Sequence, residues 1–405
     1  MYAARYCLGV TAISPKAAVY CLAVAQTLVW AALFYSFPAM LLRWETELGW
    51  SKTELTAAFS AAAAVSALVS PVAGRMIDLG RGPLLLTGCS ALGGVMLVVL
   101  AQCDTYATFF VCWVVIGAAM GGSLYEPCFS LITRTSGHDA QRSITLVTLF
   151  AGFAGTISFP LGHYVGELAG WRGALYVYAA IALAIVVPLM WVGSSRLERM
   201  YAGVDLTKLS QPPSTANRYG FLRRPAFWLL AASFALLTIN HGIIINHLLP
   251  LLKDRSIPPE TAVLAASMIG PMQVFGRIVM MLVEKHSSVR AMSLAVYASL
   301  GLGTVMLIGS ATWPWLLAAF VLFHGFAAGV QSIMKPMSTR ELLGAENFGL
   351  KYGSMTMPVY CGFAFAPYAG SLIWAYGGYS LVLNCVLGCA VVGFLLYWAT
   401  IFDRS

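Results

Sequence analysis

Long uncharged runs broken by short polar stretches set the pattern of this chain. Residues 17–42 pass without a charge, and "AVLAASMIGPMQVFGRIVMMLV" (262–283) carries one, Arg277. A helix crossing a bilayer needs roughly 20 apolar residues at a rise of about 1.5 Å each. Twelve segments meet that requirement: 17–42, 54–77, 83–101, 106–133, 143–168, 171–193, 226–252, 261–283, 289–310, 313–334, 351–375 and 378–401. The pairs that meet near 170 and 376 are separated only by "AGWRG" and "AYGGY", short glycine-bearing turns. The first run exceeds the roughly 7–15 apolar residues of a secretory signal, so it reads as a retained first span.

Composition agrees with the pattern. Hydrophobic residues make up 59% of the chain and charged ones 10%, against about 25% charged in soluble domains. So few charges cannot coat a water-facing exterior, so the bilayer is the natural solvent. The net charge of +8 sits between apolar segments and not in an aromatic-interleaved patch, which argues against nucleic acid. Placing the N-terminus in the cytoplasm puts 19 of the 24 Lys and Arg residues on that side, leaving Arg43, Lys52, Arg172, Lys253 and Arg255 outside. Both termini are therefore expected inside. The nine cysteines show neither metal-ligand spacing nor a disulfide framework. Cys103, in "QCDT" after the third span, is expected on the outer surface.

The chain divides into a six-helix bundle at 1–193, a polar cytoplasmic linker at 194–225 and a second six-helix bundle at 226–405. The halves echo each other. "LYEP" (124–127) corresponds to "IMKP" (333–336), and "QRSIT" (141–145) to "LKYGS" (350–354), each 209 residues apart. The expected fold is all-α, with 12 transmembrane helices as two parallel six-helix repeats. Walker A, GxSxG and HExxH patterns are absent, and no filter-like loop interrupts a helix. Neither an enzyme nor a channel is indicated; no catalytic residue, metal or cofactor is expected. A carrier remains.

"GRMIDLGRGP" (74–83), after the second span, resembles the hallmark loop of the major facilitator superfamily: Gly74, Asp78, Gly80 and Arg81 match, beside Arg75. The resemblance covers essentially the whole chain. It implies that Asp78 latches the cytoplasmic side shut against the N-terminal end of the eleventh helix, near Lys351. "ELGWSKTEL" (47–55) and "GPMQVFGR" (270–277) look like the bacterial branch similar to monocarboxylate transporters, which implies that Arg277 contacts a substrate carboxylate. That branch has an Asp four residues before the Arg, where this chain has Gln273. An Arg the family often carries in its fourth helix is here Trp113, and "GTISFPLG" (155–162) lacks the Gly-Pro and Gly-Gly of the antiporter signature.

Intramembrane polar groups supply the remaining candidates. Glu126 and the histidines His241 and His324 are candidates for proton coupling. His241, His247, His324, Tyr35 and Gln26 join Arg277 and Gln273 as candidate substrate contacts. Structural alternatives stand beside these: Glu126 paired with Lys335, histidines as packing residues, and Arg277 reaching the cytoplasmic rim. The expected activity is proton-coupled alternating-access symport of a small organic anion, such as a monocarboxylate, by a monomer in the bacterial inner membrane. The alternatives are proton-driven efflux of a toxic drug or metalloid, and a transport-inactive receptor or scaffold.

Overall fold

The computed structural model describes residues 14–136, 140–201, 220–283, 286–344 and 348–400, and these are almost wholly helical. α1 (Pro15–Val29) starts behind Ser14, whose Oγ accepts from the Ala17 amide at 3.2 Å. It passes through a π-helical turn at Trp30–Tyr35 into α2 (Ser36–Leu48). Gly49, at φ +70°, ends that helix. α3 (Lys52–Asp78) opens with a reciprocal cap inside "WSKTEL": the Ser51 amide donates to Glu54 Oε2 at 2.9 Å, and the Glu54 amide donates to Ser51 Oγ at 3.2 Å.

α4 (Gly82–Leu100) and α5 (Tyr106–Ser123) follow, and Leu124 in extended conformation separates α5 from α6 (Tyr125–Ser136). α7 (Ala140–Ala151) and α8 (Ala154–Ile181) lead through a π-helical turn at Ala182–Val186 to α9 (Val187–Tyr201). A 3-10 turn at Gly220–Arg223 precedes α10 (Pro225–Asp254), α11 (Pro259–Val283), α12 (Val289–Gly309), α13 (Leu316–Leu343) and α14 (Phe348–Ala399).

Ten helical runs among the described residues are long and apolar enough to cross a bilayer. Two of the ten far exceed one crossing: 59 residues at Arg142–Met200 and 43 at Met357–Ala399. The first contains non-helical backbone at Gly170 (φ +69°) and the second at Gly377 and Gly378 (φ +66° at Gly378). These lie in "AGWRG" and "AYGGY", where positive φ requires the missing Cβ. Residues 194–201, expected in the linker, continue α9, and 202–219 fall outside the described residues.

Polar side chains within these helices are satisfied locally, as a medium without water demands. The hydroxyls of Thr27, Ser90, Ser123, Thr238, Ser267 and Thr304 each donate to the carbonyl four residues back. Large apolar side chains such as Leu168, 88% exposed, and Leu68, 76% exposed, face outward. In lipid such surface needs no cover.

The chain forms two compact units: Met1–Ser36, Val65–Ala154 and Val165–Ser210 in one, and Phe37–Ala64, Gly155–Tyr164 and Gln211–Ser405 in the other. Thus α2, the first half of α3 and a short piece of α8 belong with the C-terminal helices. The core of the second unit gathers Phe227, Phe234, Tyr297, Leu300, Met334 and Tyr397. Within it Tyr397 shares a hydrogen bond with Ser338 at 2.9 Å, and Tyr297 one with Ser233.

Candidate functional site

In the second unit, α11 and α13 approach closely because their contact residues are glycines. A Cβ at Gly329 would lie 2.1 Å from the Gln273 carbonyl oxygen, and one at Gly325 would lie 2.4 Å from the Met272 Cβ. Gly276 makes the reciprocal approach to Phe326. "GFAAG" (325–329) is the small-xxx-small pattern that lets helix backbones touch in lipid.

Arg277 sits at this seam, 5% exposed, and its Nε donates to the Gly329 carbonyl at 3.1 Å. Ser332 Oγ donates to the same oxygen at 3.1 Å. Gln273, one turn earlier on α11, is also buried. The close approach thus positions both candidates from the branch resemblance: it holds Gln273 by its backbone and Arg277 by its guanidinium.

Five residues before Gly329, about 7.5 Å along α13, lies His324. The structure joins it to His241 of α10. His241 Nδ1 and His324 Nε2 are 3.0 Å apart, with rings near parallel at 5.2 Å. One of these nitrogens carries the shared proton. His324 is fully buried, and its Nδ1 has no hydrogen-bond partner. A buried unpaired nitrogen is costly, and the Nδ1 atom of His247 shares this condition.

His247 is separate from this pair. Its Nε2 donates to the Pro367 carbonyl at 2.9 Å and lies 3.5 Å from Ser371 Oγ. Ser371 joins Thr56 at 2.7 Å, and Thr56 in turn donates to the Lys52 carbonyl at 2.7 Å. One turn further, the Tyr368 amide donates to Ser60 Oγ at 3.3 Å. Lys52 Nζ stands 3.7 Å over the Trp374 ring and 3.0 Å from Glu45. Lys52, Thr56 and Ser60 are spaced by four, so one face of α3 is zipped to α14. Sequence reasoning missed this stripe; its signal is the polar i, i+4, i+8 spacing in "KTELTAAFS".

In the first unit, Gln26 is fully buried and its Nε2 donates to the carbonyls of Ser123 at 2.8 Å and Leu124 at 3.3 Å. It therefore satisfies the Ser123 carbonyl, freed because Pro127 four residues on has no N–H, and supplements the Leu124 carbonyl, which also accepts from the Cys128 amide at 3.4 Å. Glu126 lies in the first turn of α6, beside Tyr125, whose ring packs on Trp30 at 4.8 Å. Tyr35 closes the π-helical turn against Phe34. Lys335, the sequence-based partner considered for Glu126, belongs to the second unit, with its Nζ 5.8 Å over the Tyr360 ring.

The loop at 74–83 folds as a helix C-cap. Gly80, at φ +76°, donates to the Ile77 carbonyl at 2.9 Å, and the Arg81 amide donates to the Met76 carbonyl at 2.9 Å. Gly80 lies against an ion pair between Arg134 and Glu198, where a Cβ would be 3.3 Å from Glu198 Oε1. Asp78 ends α3; Arg75 precedes it in the last turn.

These features define a multi-pass helical membrane protein with buried polar groups on otherwise apolar spans. The Major Facilitator Superfamily model matches residues 22–296, more than half of the chain, and the chain belongs to that family. That family is one of membrane carriers of solutes and not of enzymes. Among solved structures, it is similar to a bacterial homolog of the human lysosomal transporter Spinster, inward-facing and occupied, at 13% identity, TM-score 0.69, covering 97% of this chain and 99% of that one. The nucleoside transporter NupG, solved as a point mutant, matches at 15% identity, TM-score 0.68, covering 97% and 100%. At such identity these likenesses show the fold alone. "Transcription regulatory protein OpdE" of Pseudomonas aeruginosa is 27% identical over 188 residues, 46% of this chain and 44% of that protein. This chain thus matches under half of that relative's length.

Proposed function

We propose that this protein moves a small organic anion, such as a monocarboxylate, together with protons across the bacterial inner membrane. It does so as a monomer of twelve spans with both termini cytoplasmic, by alternating access. The carrying observation is the His241–His324 pair with its unpaired buried nitrogen, about 7.5 Å along α13 from the carbonyl that holds Arg277. A guanidinium inside a span costs roughly 2.5–3.5 kcal/mol on insertion scales, and such groups mark substrate or ion paths. In this reading Arg277 binds the carboxylate with Gln273 beside it, and the histidines take the proton that an aspartate at 273 would otherwise carry. Glu126 is a second proton site; Gln26, Tyr35 and His247 contact substrate as the site forms. The turn at 74–83 latches the cytoplasmic side through Asp78, and the α3–α14 zipper latches the outer side.

Purified protein in liposomes, with an imposed inward-acid or outward-acid gradient and a panel of radiolabelled short carboxylates, tests the proposal. Gradient-driven accumulation of one carboxylate is expected. Accumulation of a toxic cation or metalloid against proton entry would replace this reading with efflux. The name of the Pseudomonas relative favours one further reading, a membrane receptor that acts on gene expression without transport. Substrate binding with no flux in either gradient would select it.

A further inference from the structure

We propose that Cys103 and Cys112 form a disulfide that staples the turn after α4 to the wall of α5. Their sulfurs are 3.6 Å apart, and both residues are 5% exposed. A disulfide needs about 2.05 Å, so the two sulfurs must close by about 1.5 Å. The surroundings hold the two thiols in register. Cys103 Sγ donates to the Val99 carbonyl at 3.4 Å, which folds it back onto the end of α4. Asp104, the next residue, accepts from Arg172 Nη2 at 2.7 Å, and Thr105 caps α5 by accepting from the Thr108 amide. Cys112 lies six residues into α5, close to two turns from its start. The turn folds the Cys103 side chain inward, so on whichever side of the membrane it lies the thiol is buried.

The inference rests on the N-inside orientation proposed above, which puts this turn on the oxidising side of the membrane. The oxidant is a dithiol carrier in its disulfide form. The Cys103 thiolate attacks one carrier sulfur, forming a mixed disulfide and releasing the other as a thiolate. The Cys112 thiolate then attacks Cys103 Sγ and expels the second carrier sulfur. Two electrons pass to the carrier, and the two cysteine protons end on its two sulfurs.

The test has two arms. Cells are quenched in acid, the protein is denatured with N-ethylmaleimide, and peptides spanning residues 103 and 112 are weighed. Separately, folded purified protein is incubated with oxidised glutathione and treated alike. Cross-linked, unalkylated Cys103 and Cys112 are expected in both arms. In Cys112→Ser, Cys103 is expected to retain glutathione as a mixed disulfide. Reduction should lower the thermal midpoint of wild type and leave Cys103→Ser unchanged. Both thiols alkylated in both arms overturns the pair. A cross-link in the purified protein alone keeps the pair and overturns the orientation.

Discussion

Replacing Gly329 by alanine tests whether the α11–α13 seam builds the site. The added Cβ would stand 2.1 Å from the Gln273 carbonyl oxygen and 2.7 Å from its Cα, whereas real Cβ contacts stay beyond 3.0 Å. The obstacle is backbone on both sides, so no side-chain rotation relieves it. The helices must part by about 0.9 Å, and overpacking of this kind costs about 1–3 kcal/mol. The same displacement carries the Gly329 carbonyl from 3.1 Å to near 4 Å from Arg277 Nε, beyond hydrogen-bond range. A hydrogen bond to a charged group contributes about 1.5–3 kcal/mol, so substrate binding should fall at least tenfold. Gly301→Ala is the control, since its Cβ would meet only Ala390 at an ordinary 3.8 Å. Unfolding titrated with sodium dodecyl sulfate reads stability, and liposome uptake reads function. Wild-type stability and uptake in Gly329→Ala would refute the reasoning, as would equal damage from Gly301→Ala.

Three further outcomes are expected. Arg277→Lys keeps the charge but loses the planar fork; it should insert normally and bind a carboxylate at least tenfold more weakly, about 1.4 kcal/mol, and unchanged affinity would reduce Arg277 to a helix anchor. His324→Gln and His241→Gln should each abolish pH-gradient-driven accumulation while sparing substrate exchange at equal pH; accumulation at the wild-type level would remove the pair from proton coupling. Thr56→Val deletes a buried hydroxyl between Lys52 and Ser371, worth about 1 kcal/mol, and should open the outer side about fivefold more often. The readout is the maleimide labelling rate of a reporter in Ala63→Cys; an unchanged rate would mean that the stripe is no latch.

Much of the helical framework was legible because lipid demands long apolar runs and punctuates them with few residues. The turns read from "AGWRG" and "AYGGY" coincide with positive-φ glycines. "WSKTEL", met as a family-like stretch, proved to be a reciprocal helix cap. Arg277, His241 and His324 stood out because charge and imidazole are rare in such spans. What escaped were relations between distant segments. Thr56 and Ser371 are 315 residues apart, and each alone reads as an ordinary helical hydroxyl. The grouping of α2 and half of α3 with the C-terminal helices has no local marker either. "LYEP" echoes "IMKP" in sequence, yet of the two "LYEP" alone breaks its helix: Pro336 lies within α13.

That break makes the fourth span a jointed rod. A continuous helix resists bending through every hydrogen bond along it, whereas here the stiffness at Leu124 is delegated to one amide from a different helix, Gln26. The segment beyond the joint is 12 residues, about 18 Å long. A swing of about 10° moves its far tip by about 3 Å without stretching a backbone hydrogen bond. Motion at the tip is therefore geared to the position of α1, whose glutamine travels with the hinge pin. Gln26→Leu would take the donor from the Ser123 carbonyl, leave the Leu124 carbonyl with only the Cys128 amide at 3.4 Å, and so loosen the joint; the protein should still fold, with slower turnover in liposomes.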